Sequence, residues 1–140
     1  MKNTDTGFFE EIEHTADLSL RCGGPDLESL FRNAALGMYH LMGAAAQGLN
    51  AETRHAVHLA AEDAESLLVD WLGELAYLAE ARGIVFEEMT FESLSPTRLE
   101  AMLVGGPAAH MDTLVKAVTY HQLKVERSEG GFTATVVFDV

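Results

Sequence analysis

A chain of 140 residues, 48% of them hydrophobic, carries enough apolar material for one compact core, so a single domain over residues 1–140 is expected. Nine Lys and Arg against 22 Asp and Glu leave a formal net charge of −13, which repels a polyanion and argues against direct nucleic-acid binding. No apolar run approaches the ~20 residues of a membrane span, the segment 1–7 lacks the apolar region of a secretory signal, and Cys22 stands alone without a disulfide partner. A cytoplasmic location is expected, with no membrane association.

In chain order, Phe8 to Glu13 and Asp17 to Arg21 read as extended segments, the second alternating Leu18, Leu20 and Cys22 with polar neighbours before Gly23-Gly24-Pro25. Cys22 fits as a small strand residue. Asp26 then has the character of a helix N-cap. From Leu27 to Met42 apolar residues recur every three or four positions, which predicts an amphipathic helix ended by Gly43. Arg54 to Ala60 alternates around Val57 and Leu59 like a strand with one solvated face. Asp63 should cap a second helix carrying Leu67, Leu68, Trp71, Leu72, Leu75 and Leu78, stopped by Gly83. The remaining segments, Ile84–Phe91, Arg98–Val104, Val115–Val125 and Phe132–Phe138, are β-rich, with a hairpin turn at Glu129-Gly130-Gly131. Two amphipathic α-helices packed on mostly antiparallel β-sheet make an α+β fold.

Few residues suggest chemistry. Asp17, at the mouth of a strand, fits an Asx-type turn bonding nearby amides. Asp139 is unusual inside a β segment, where Asp is disfavoured, and it precedes Val140, whose main-chain carboxylate follows directly. Asp17 brought alongside by sheet pairing would complete an all-oxygen site suited to a hard divalent cation, Ca²⁺, Mg²⁺ or Mn²⁺. Lys116 lies on a segment rich in Val, Ala, Thr and Tyr, where its ammonium either snorkels to solvent or meets an anion. On an unbroken strand His121 faces away from Lys116. His55 and His58, three apart on a strand, face opposite ways and do not make a zinc pair. No nucleotide-binding glycine loop, nucleophile motif or Cys-x-x-Cys pair occurs.

Three blocks in order, however, resemble the archease family along nearly the whole length. These are Glu13-His14-Thr15-Ala16-Asp17 with the Leu27–Ala35 helix, the segment Leu67-Leu68-Val69-Asp70-Trp71-Leu72-Gly73-Glu74-Leu75, and Val115-Lys116-Ala117-Val118-Thr119-Tyr120-His121 with terminal Phe138-Asp139-Val140. The resemblance implies a non-catalytic accessory protein that promotes guanylylation and multiple turnover of an RtcB-type RNA ligase in tRNA splicing or RNA repair. It further implies that Asp17, Asp139 and Val140 form a divalent-cation site, that Lys116 is functional, and that His14 and His121 lie in functional motifs. His110 matches a histidine of the loop before the third block. The competing readings are a stand-alone metal-dependent phosphoesterase and a general protein chaperone.

Overall fold

The computed structural model describes residues 6–12, 17–46 and 52–140. Two helices form where apolar period and capping chemistry coincide. In α1, Leu27–Met42, the Asp26 side chain accepts from Ser29 N–H at 2.8 Å while Ser29 Oγ accepts from Asp26 N–H at 3.1 Å, a reciprocal cap. Asp63 accepts from Ser66 N–H at the start of α2, Ala64–Arg82. Gly43 and Gly83, at φ 63° and 65°, close the two helices in the left-handed conformation. Both helix boundaries agree with the expectation from sequence.

Among the described residues every strand pair is antiparallel, and the strands fall into two sheets. The five-stranded sheet comprises β1 (Phe8–Ile12), β2 (Leu18–Gly24), β7 (Ala117–Thr119), β8 (Glu126–Ser128) and β9 (Gly131–Asp139). In it β2 lies between β1 and β9, and β7 and β8 pair with successive parts of β9. The four-stranded sheet is built on β6 (Arg98–His110), which pairs with β3 (Ala45–Ala46), β4 (Thr53–Ala60) and β5 (Ile84–Ser95).

One core draws on both helices and both sheets. Trp71 of α2 is fully buried, donates from Nε1 to the Phe31 carbonyl of α1 at 3.0 Å, and meets Phe91 of β5 at a ring separation of 5.3 Å. Asn33 of α1 is 9% exposed and spends its amide on the Gly23 carbonyl of β2, at 3.2 Å, and on the Thr6 carbonyl. Asn33 thus ties α1 to β2. Among the described residues no helix is long and apolar enough to cross a membrane.

Several expected strands differ in extent, β2 continuing past Arg21 through Gly23 to Gly24. β5 and β6 run beyond Phe91 and Val104 to Ser95 and His110, because ladder hydrogen bonds continue where the apolar pattern has ended. Two register shifts, at Phe86/Glu88 and Phe91/Ser93, absorb the mismatch. The segment Val115–Val125 is not one strand. Thr119 Oγ1 donates to the Val137 carbonyl at 2.9 Å and accepts from His121 N–H at 3.3 Å, turning the chain off the sheet. Leu123 N–H then bonds the Tyr120 carbonyl at 3.0 Å, and Gln122 takes φ 52°. The alternation argument that set Lys116 and His121 on opposite faces therefore does not apply, since the strand stops between them.

Candidate metal centre

Alternation along β2 and β9 decides which face each functional residue occupies. Leu18, Leu20 and Cys22 of β2 and Ala134, Val136 and Phe138 of β9 belong to the core. The intervening Ser19 and Arg21, and Val137 and Asp139, point to the other face. The pairing runs Leu20↔Val136, Ser19↔Val137, Leu18↔Phe138. The pairing ends at Leu18↔Phe138, and Asp17 and Asp139 are the next residues along the chain beyond that last pair.

The third strand of the site comes from β7. Ala117 pairs with Asp139 from the side opposite β2, and Lys116 N–H donates to the Asp139 carbonyl at 2.8 Å. Asp17, Asp139, Val140 and Lys116 therefore lie at the same end of the five-stranded sheet, with Ala117, not Lys116, directly across from Asp139. Asp139, Val140 and Lys116 are exposed, and Asp17 is half-buried. No salt bridge holds any of these charged side chains among the described residues.

The other candidates lie elsewhere. His121 sits in the turn beyond Thr119, at the far end of β7, and is exposed. His110 pairs with Ala45 in the four-stranded sheet. His55 contacts Glu74 at 3.1 Å and His58 contacts Glu100 at 3.3 Å, two separate surface pairs. His14 lies outside the described residues. Among those residues no group of three or more His, Cys, Asp or Glu side chains is close enough to hold a metal, so a cation here would need a main-chain oxygen beside the two aspartates.

Whether the donor set suits a cation can be judged from the face itself. The oxygen chemistry of two carboxylates and a main-chain oxygen matches hard cations. Ser19, on β2, is 2% exposed and its Oγ has no hydrogen-bond partner, the one such buried side-chain atom among the described residues. Sequence reasoning did not find Ser19, because a serine between Leu18 and Leu20 reads as an ordinary solvated strand position.

The model of the Archease protein family (MTH1598/TM1083) matches residues 9–140. The chain belongs to the archease family. A protein named archease from Methanosarcina mazei is 39% identical over 140 residues, covering 94% of this chain and 95% of its own length. One from Saccharolobus islandicus is 37% identical over 138 residues, with 94% and 98% covered. The solution structure of Methanobacterium thermoautotrophicum protein 1598 superimposes with a TM-score of 0.69 at 30% identity, covering 94% of this chain and 98% of that one. A Thermotoga maritima archease described as a "possible chaperone" shares the fold, with a TM-score of 0.69 at 23% identity over 94% of this chain and 96% of that one. The α+β architecture expected from sequence is the archease fold.

Proposed function

We propose that this archease is a non-catalytic cytoplasmic activator of an RtcB-type RNA ligase, promoting its guanylylation and multiple turnover in tRNA splicing or RNA repair. The observation that supports the reading is the position of Asp17, Asp139, Val140 and Lys116 at the same end of the five-stranded sheet. Asp17, Asp139 and a main-chain oxygen of Val140 would hold a divalent cation, Ca²⁺, Mg²⁺ or Mn²⁺. A bound cation supplies charge neutralisation for phosphate oxygens at the partner's nucleotide site. Lys116 offers an ammonium to the same phosphates from the adjacent strand.

The surroundings suit a protein partner. Leu114, Tyr120 and Val140 are 43%, 57% and 38% exposed, Leu114 and Val140 close in sequence to Lys116 and Asp139 and Tyr120 at the other end of β7. Exposed apolar and aromatic side chains are enriched in interface cores. The net charge of −13 complements a basic RNA-binding ligase surface. His14 and His121 belong to the same reading only as residues that support their neighbours.

The test is guanylylation of a cognate ligase by GTP and Mn²⁺, with and without a substoichiometric amount of this protein. Acceleration over many turnovers is expected. The Asp139→Ala variant should remain folded by circular dichroism and lose the acceleration. Full stimulation by that variant removes the cation from the mechanism, and no effect of the wild-type protein on its ligase returns the site to the phosphoesterase reading.

A further inference from the structure

We infer that the exposed ridge of α2 around Gly73 and Tyr77 is a docking surface for an arginine-bearing, basic segment of the ligase; the inference rests on the ligase reading above. Its starting point is a glycine that nothing inside the molecule explains. Glycine in a helix interior is less stable than alanine, and the other glycines of the two helices each have a reason. A Cβ at Gly37 would lie 2.7 Å from the Leu20 side chain and 2.9 Å from Phe9 Cβ. Gly43 and Gly83 take positive φ where the helices end. Gly73 lies in the middle of α2, is not among the positive-φ glycines, and a Cβ there would meet nothing within 4 Å. A missing side chain on an open helix surface lets a second chain approach the backbone closely.

The neighbours of Gly73 indicate what that second chain carries. Residues three and four apart share a helix face, which sets Asp70, Gly73, Glu74 and Tyr77 side by side. Tyr77 is 62% exposed, the most exposed large hydrophobic side chain among the described residues. Tyrosine and arginine are enriched at the energetic centres of interfaces, and a phenol ring attracts a guanidinium to its face. Asp70 and Glu80 are exposed and hold no ion pair among the described residues. Glu74 contacts only a histidine, His55, and α2 has no Lys or Arg before Arg82. The ridge is thus complementary to a basic surface and repels an acidic one. α2 also packs against β7, and Glu65 accepts from Val125 N–H at 2.8 Å, which joins the helix to the segment that follows Lys116.

Biolayer interferometry of the full chain against the cognate ligase, with thermal melts of the free protein, tests the surface in wild type, Gly73→Ala and Tyr77→Ala. Gly73→Ala should melt higher than wild type yet bind the ligase about tenfold more weakly, because its methyl group occupies the space of the partner. Tyr77→Ala should melt like wild type and bind at least about tenfold more weakly. A lower melting temperature in Gly73→Ala would show that the glycine serves internal packing, and it overturns the inference. Wild-type affinity in either variant overturns the docking surface and leaves the ligase reading standing. A wild-type protein that neither binds nor activates the ligase overturns that reading, and the docking surface with it.

Discussion

Asp26 shows how one side chain can determine where an element begins and how it responds to acid. Its carboxyl is held below the usual range, first by the Ser29 backbone N–H and then by the Ser29 hydroxyl; partial burial opposes the shift and the Arg32 charge adds to it. A folded pKa below the unfolded value of ~3.9 contributes stability that is complete above that pH and is lost as pH falls through the folded pKa. Asp26→Ala should cost about 1 kcal/mol at neutral pH. The gap from wild type should narrow in urea unfolding carried out below about pH 4; a gap that persists there would mean that the protonated side chain caps equally well. Cys22 illustrates the opposite case. Burial pushes its thiol to about 12 against the lowering effect of Arg21, which leaves a packing residue with no thiolate chemistry.

At the scale of elements, the two glycines inside helices face different surroundings, Gly37 the packed five-stranded sheet and Gly73 open space. A Cβ at Gly37 of α1 would lie 2.7 Å from the Leu20 side chain and 2.9 Å from Phe9 Cβ. A Cβ at Gly73 of α2 would meet nothing within 4 Å. Alanine improves helix propensity by roughly 1 kcal/mol at either site. At Gly37 the crowding of β1 and β2, about 1–3 kcal/mol, outweighs that gain. Gly37→Ala is therefore expected to destabilise by about 1 kcal/mol and Gly73→Ala to stabilise by ~0.5–1 kcal/mol. Thermal melts of the two variants compare them directly. Equal shifts of the same sign would show that α1 does not press on the five-stranded sheet as tightly as these distances require.

For the whole molecule, the charge of −13 and the exposed apolar side chains Leu114, Tyr120 and Val140 act at different stages of association. Long-range charge governs encounter and is screened within about 10 Å at 0.1 M salt. Apolar contact governs residence and is not weakened by moderate salt. The association rate with a basic ligase should therefore fall by tenfold or more between about 0.05 and 0.5 M NaCl, while Tyr120→Ala should chiefly raise the dissociation rate. Biolayer interferometry separates the two. An association rate indifferent to salt would confine the acidity to solubility.

The two helices were legible because their evidence is local: Asp26, Asp63, Gly43 and Gly83 act within one turn of the boundaries they set, and the apolar period is contained in each segment. The three motif blocks were legible for a similar reason, each being a short run of consecutive residues. Alternation could say that Asp139 occupies a face of a strand, but not that β2 and β9 pair in the register that brings Asp17 and Asp139 to the same end of the sheet. That register joins the two ends of the chain and is selected by burial of Leu20, Cys22, Val136 and Phe138 on the opposite face. Tertiary structure also divided the segment from Val115 to Val125, because the Thr119 hydroxyl bonds a carbonyl on another strand. His121 was thereby left away from Lys116. Ser19 became visible only there, since burial of a hydroxyl without a partner depends on what the rest of the chain places around it.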